Sequence, residues 1–126
     1  MHVSGTKIAF IGTGVMGASM AGHLLKAGAA LRVYNRTKSK ADPLVAAGAA
    51  WADSPAEAVA GAAVVFTMLG YPSDVEQVYL GDGGVLAASA PGTIFVDFTT
   101  SDPGLAARIS AAASASGRAA IDAPVS

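Results

Sequence analysis

Apolar residues in this chain gather into short unbroken runs instead of alternating with polar ones. The runs fall at Lys7–Gly12, Leu31–Asn35, a brief one at Ala49–Trp51, then Val64–Leu69, Thr93–Phe98 and Ala119–Asp122. A strand that is apolar on both faces is one covered on both faces, which is the habit of buried parallel strands. Longer alanine-rich, helix-compatible segments fill the gaps, and their ends carry helix punctuation. Ser54-Pro55 with Glu57 combines a cap, a first-turn proline and an acid near the positive helix end. Pro72-Ser73-Asp74 and Ser101-Asp102-Pro103 open two more helices, and Gly28, Gly48, Gly61 and Gly117 stand where helices stop. The pattern predicts one compact α/β domain over residues 1–126, without linker, low-complexity tract or solenoid repeat.

The first gap is the most informative. Lys7-Ile-Ala-Phe-Ile runs straight into Gly12-Thr-Gly14-Val-Met-Gly17, and an alanine-rich helical segment follows. Between a strand and a helix each glycine has its own mechanical task. Gly12 permits the tight turn, Gly14 lets the main chain approach a pyrophosphate, and Gly17 lets the helix lie close to the strand. The helix N-terminus then offers free amides to phosphates. A dinucleotide is the expected ligand, and a Rossmann-type doubly wound parallel sheet with helices on both faces the expected fold. The plainer alternative is that the glycines only make a tight connection.

Which dinucleotide depends on the end of the second strand. An NAD site usually places an acid there, on the adenosine ribose. This chain has Asn35, then Arg36, Thr37, Lys38 and Lys40. No carboxylate at that position repels a 2′-phosphate, while Arg36 offers a planar fork of donors and Thr37 a hydroxyl. NADP is therefore the expected cofactor, with NAD possible; a solvated charge run is the alternative reading of these residues.

Composition narrows the partners. The chain has 126 residues, no cysteine and a formal net charge of −1. Disulfides and thiolate metal sites are thus excluded, and the electrostatic case for nucleic-acid or anionic-membrane binding is missing. The apolar fraction is 52% but rich in alanine, and no run approaches the roughly 20 residues needed to span a bilayer. Met1–Thr6 lacks the pattern of a signal peptide. A soluble, cytoplasmic protein with a small-molecule partner is expected.

The motifs "FIGTGVMGASMAGHLLKAG", "VYNRTKSK", "VFTML", "VDFTTSDP" and "DAPVS" together resemble, in order, those of the β-hydroxyacid dehydrogenases. That group includes 3-hydroxyisobutyrate dehydrogenase, tartronate semialdehyde reductase and the glyoxylate/succinic semialdehyde reductases. The resemblance implies that Gly12, Gly14 and Gly17 hold the pyrophosphate, with main-chain contacts from Thr13, Val15 and Met16. It places Asn35, Arg36 and Thr37 on the adenosine ribose and its phosphate, Met68-Leu69 beside the cofactor, and Thr100 near the nicotinamide. Ser126 would begin a substrate-binding Ser-Gly-Gly. For Met68 and Leu69, plain core packing is an open alternative. Thr13 stands where the family commonly has leucine, and "TTSDP" replaces the more usual Ser-Thr and apolar residue, which leaves the substrate open.

The resemblance further implies a helical domain beyond Ser126, carrying the lysine general acid/base and helping to build a homo-oligomer. No catalytic residue is therefore assigned within the chain, and residues 1–126 alone are expected to be inactive. Lys7, Lys26, Lys38 and Lys40 lie away from where hydride transfer would occur. His23 completes no metal spacing, and no metal site is expected. Asp97 and Asp122 end strands, where capping and turn roles are favoured over a catalytic pair. The expected activity is hydride transfer between a nicotinamide cofactor and a small 3-hydroxy acid or semialdehyde carboxylate. An imine reductase cofactor domain and a non-catalytic NADP-binding module are the alternatives.

Overall fold

The computed structural model describes residues 5–12, 15–69, 72–81, 84–99 and 102–122, with Val15, Met16, Pro72 and Asp122 described by their backbone. Six strands form one sheet: β1 (Lys7–Ile11), β2 (Ala30–Tyr34), β3 (Ala50–Trp51), β4 (Val64–Thr67), β5 (Ile94–Asp97) and β6 (Ala119–Asp122). Their spatial order is β3-β2-β1-β4-β5-β6, and every neighbouring pair is parallel. Among the described residues the α-helices between them are α1 (Val15–Lys26), α2 (Asp42–Ala46), α3 (Pro55–Val59), α4 (Pro72–Leu80), α5 (Val85–Ala88) and α6 (Pro103–Ala115). This is the doubly wound arrangement expected from the runs. The chain reverses its direction of travel across the sheet between β1 and β4, the switch point at whose carboxyl edge open sheets of this kind form their ligand crevice.

Helix starts follow the predicted chemistry. The Ser54 hydroxyl accepts from the Glu57 amide at 3.1 Å, and Asp102 accepts from the amides of Gly104 and Leu105. Gly28, Gly48, Gly61 and Gly117 all have positive φ, from 76° to 121°, where a side chain would be strained. β1, β2, β4 and β5 end one or two residues before their apolar runs do, β3 and β5 start one residue late, and β2 begins one residue early, at Ala30. Gly12 leaves the ladder at φ 89°, although its amide still donates to the Tyr34 carbonyl at 2.9 Å.

Alternation along β1 divides the core into two layers. Ala9 and Ile11 face one way, onto Val65, Phe95 and the helical residues Val59, Val75, Tyr79, Leu105 and Ile109. Ile8 and Phe10 face the other, with Leu31, Val33, Ala21 and Leu44. The first layer is covered by α3, α4, α5 and α6, the second by α1 and α2. On the second face Phe10 stacks on Phe66, and Phe66 on Phe98, with ring centroids 5.9 and 5.7 Å apart. Toward β6 that face thins, leaving Ile94 40% and Ile121 53% exposed.

Candidate dinucleotide-binding site

The crevice is built around Gly12. A Cβ on this residue would lie 2.1 Å from the Met68 carbonyl oxygen and 2.8 Å from its carbon, and the backbone has φ 89°. Both facts exclude any other residue without a backbone shift. The Met68 amide donates to the Ile11 carbonyl at 2.9 Å, so the turn after β1 and the end of β4 are tied edge to edge. A Cβ on Gly17 would meet the Gly12 carbonyl oxygen at 2.7 Å and the Phe10 ring at 3.3 Å. Close approach of α1 to β1 is thus the physical role of Gly17. Thr13 and Gly14 lie outside the described residues; Val15 and Met16 form the start of α1. The first turn of α1 holds no acid, so the free amides at the helix start meet no opposing charge from their own helix. These features fit a pyrophosphate.

The end of β2 lies beside the turn that follows β1. Asn35 is half-buried, and its Nδ2 donates to the Thr37 carbonyl at 2.8 Å, turning the chain into one turn of 3-10 helix at Lys38–Ala41. Thr37 is exposed at the start of that turn. Lys38 holds its ammonium 5.5 Å from the centroid of the Trp51 ring, and Trp51 packs against Tyr34. The Arg36 side chain is 82% exposed, and its Nη2 meets Asp74 Oδ1 at 2.8 Å. Hydrogen bonding to Asp74, helped by the attraction of its charge, raises the Arg36 pKa further above its ordinary value.

This contact corrects one expectation. The sequence shows no acid at the end of the second strand, yet a carboxylate from elsewhere in the chain meets the Arg36 guanidinium. It comes from the first turn of α4, because β4 lies beside β1 and the helix leaving β4 starts across the crevice from the end of β2.

At the β4–β5 side the floor is a buried polar relay that the sequence reading missed. Thr67 and Asp97 are paired across the strands, with 0% and 6% exposure. The Thr67 hydroxyl donates to Asp97 Oδ1 at 2.7 Å and lies 2.9 Å from the Tyr79 hydroxyl. A threonine hydroxyl has one proton, so Tyr79 is the donor in the second bond. Asp97 also accepts from the Thr99 amide at 3.1 Å, and the Thr99 hydroxyl accepts from the Leu69 amide. Asp97 thus has the turn role expected of it and a buried one besides. Burial, more than any neighbour, pushes the Tyr79 hydroxyl pKa far above the ordinary tyrosine range. The signal in the sequence was a threonine inside the run Val64–Leu69 and a tyrosine on an apolar helix face, each a polar atom that must find a partner.

Met68 and Leu69 are half-buried and pack on opposite core layers, Met68 on the second and Leu69 on the first. Their side chains serve packing, while the Met68 carbonyl faces Gly12. Thr100 and Ser126 lie outside the described residues. The 260 Å³ cavity lined by Lys7, Ala30, Arg32 and Ala60 opens at the amino ends of the strands, the opposite edge from this crevice. Among the described residues no cluster of potential metal ligands occurs, and no helix is long and apolar enough to cross a membrane.

Residues 7–126 match the family described as the NAD binding domain of 6-phosphogluconate dehydrogenase. The chain belongs to that family. Among its relatives, this NAD-binding domain is 53% identical over 124 residues to a mitochondrial 3-hydroxyisobutyrate dehydrogenase-like protein of Arabidopsis thaliana, covering 98% of the chain and 37% of that protein. It is 52% identical over 120 residues to the NAD-dependent L-serine dehydrogenase of Pseudomonas aeruginosa, covering 95% of the chain and 40% of the enzyme. The domain superposes on Mycobacterium tuberculosis 3-hydroxyisobutyrate dehydrogenase, solved with L-serine, with a TM-score of 0.88 and 40% identity, covering 97% of this chain and 41% of that one. An imine reductase from Myxococcus stipitatus in complex with NADP+ is more distant, at 28% identity and a TM-score of 0.83 over 92% of this chain and 39% of that one. The domain spans about two fifths of the length of the proteins it matches.

Proposed function

We propose that this chain is the NADP-preferring cofactor domain of an oxidoreductase acting on a small 3-hydroxy acid or semialdehyde carboxylate. The observation that carries the reading is the glycine turn set in the crevice between β1 and β4, with the exposed guanidinium of Arg36 at the end of β2. In this reading Gly12, Gly14 and Gly17 and the main chain of Thr13, Val15 and Met16 bind the pyrophosphate. Asn35, Arg36 and Thr37 take the adenosine ribose and its 2′-phosphate. Met68 and Leu69 line the crevice, Thr100 lies toward the nicotinamide, and Ser126 toward the substrate. The bound cofactor supplies the hydride acceptor or donor; the domain binds and orients it. The proton-transfer group is expected outside this chain, and the whole protein is expected to be a cytoplasmic homo-oligomer with no nucleic-acid partner.

The relatives' names pull cofactor choice in both directions, one NAD-dependent and one solved with NADP+. The choice here rests on Arg36 and on Asn35 in place of an acid. The imine reductase reading is supported by the more distant of these similarities, the hydroxyacid reading by the nearer ones. Turnover of the intact protein on a panel of 3-hydroxy acids, semialdehydes and cyclic imines, each with NADP(H) and NAD(H), tests both. Hydroxyacid or semialdehyde turnover faster with NADP(H) is the expected result. Turnover of imines alone would replace the substrate assignment, and a preference for NAD(H) would overturn the cofactor assignment.

A further inference from the structure

The Arg36–Asp74 pair brings together two groups that a 2′-phosphate would treat in opposite ways. The cation attracts it, and the anion 2.8 Å from that cation repels it. The two are also unequally held. The Asp74 side chain is 21% exposed and sits on a helix, whereas that of Arg36 is 82% exposed on a long flexible stem. When a second anion arrives, the guanidinium is therefore the partner that turns, and the carboxylate stays. A 2′-hydroxyl poses no such conflict, because it is a donor that a carboxylate can accept. Asp74 brings a carboxylate from α4 to the arginine that follows β2.

We propose that Asp74 is a specificity-determining residue, holding Arg36 in an ion pair that a 2′-phosphate must break and a 2′-hydroxyl can keep. The inference rests on the reading that the adenosine ribose lies beside Arg36, and it adds an opposing charge to that reading. Wild-type discrimination is then a difference between two contacts, narrower than Arg36 alone would set. Substitution at Asp74 moves the preference without touching the glycine turn. The alternative role for the same contact is preorganisation, with Asp74 aiming Arg36 at the phosphate; it predicts the opposite sign.

The test is titration calorimetry of the intact protein with 2′,5′-ADP and with 5′-AMP, probes that differ only in the 2′-phosphate. Asp74→Asn should tighten 2′,5′-ADP by about 3- to 10-fold, the scale of releasing one exposed pair and one like-charge contact. It should leave 5′-AMP unchanged or slightly weaker, and the gain should shrink as salt is raised. Arg36→Ala tests the underlying reading: it should abolish the advantage of 2′,5′-ADP over 5′-AMP. If Arg36→Ala leaves that advantage intact, the placement of the 2′-phosphate is wrong and this inference falls with it. If Arg36→Ala removes the advantage but Asp74→Asn leaves 2′,5′-ADP binding unchanged or weaker, the placement stands and the competition is refuted. Asp74→Ser, a smaller neutral polar substitution, repeats the measurement in case the amide variant folds poorly.

Discussion

On the β4–β5 side of the crevice, Tyr79, Thr67, Asp97 and Thr99 are linked in series down to the Leu69 amide, and Thr67, Tyr79 and Asp97 are at most 6% exposed. On the β2–α4 side, an arginine that is 82% exposed meets one carboxylate. Both are networks of polar contacts around the same site, but they sit in different dielectric surroundings. A buried polar group left without a partner pays its full desolvation cost, so the relay tolerates no partial change. An exposed pair is screened and contributes little to stability, so it can be rearranged freely. The comparison separates a floor whose geometry is fixed by folding from a rim whose chemistry is free to vary.

The hardest test of the floor is Gly12→Ala. A methyl group 2.1 Å from the Met68 carbonyl oxygen, on a backbone at φ 89°, must part β1 from β4 or unwind the turn. We expect a loss of about 3 kcal/mol or more in urea unfolding of the intact protein, with dinucleotide binding lost as well. A stable variant that still bound NADP would show the turn to be pliable and undo the contrast.

Next in size is Thr67→Val, which keeps the shape but takes one hydrogen bond from the buried Asp97 carboxylate and removes the acceptor of the buried Tyr79 hydroxyl. A loss of about 2–4 kcal/mol is expected, exceeding the roughly 1 kcal/mol of Tyr79→Phe, which strands no buried donor. The tyrosine also gives the relay a pH signature. Its folded-state pKa is raised by burial, while in the unfolded chain it titrates near 10. The stabilisation is complete below about pH 10 and is lost above it, because the unfolded state releases its proton first. Stability measured from pH 9 upward should fall less steeply in Tyr79→Phe than in the wild type; parallel curves would place the alkaline sensitivity elsewhere.

The smallest stability effect belongs to the rim. Arg36→Ala should leave the thermal midpoint within error of the wild type while weakening NADP about 10-fold and NAD hardly at all. Equal losses for both cofactors, or a lowered midpoint, would mean that Arg36 supports the fold and that the two sides of the crevice are not built differently after all.

The same division explains what could be read in the sequence. The strands, their parallel pairing and the caps at Ser54 and Asp102 were legible, because apolar runs and capping residues act over a few positions. The roles of Gly12 and Gly17 in packing were legible from their spacing between a strand and a helix. The partner of Gly12 was not, since nothing local says that Met68 presents its carbonyl there. Thr67 with Asp97 and Arg36 with Asp74 escaped for the same reason. Each joins residues 30 or more apart, and the contact exists only once the strand order is known. The short helix Val85–Ala88 was hidden behind a glycine cluster that reads only as a turn.

The bond from the Met68 amide to the Ile11 carbonyl also has a meaning in time. β1, α1 and β2 are contiguous in the chain and can close on one another soon after they are made. Gly12, however, faces a carbonyl that belongs to a residue past the midpoint of the chain. At about 5–20 residues per second of synthesis, roughly 3 to 11 seconds separate the appearance of the glycine turn from that of its floor. During that interval the nascent chain carries the dinucleotide motif without the dinucleotide site, and the edge of β1 that β4 will cover, with Phe10 and Ile11 on it, is open to whatever else can pair with a strand.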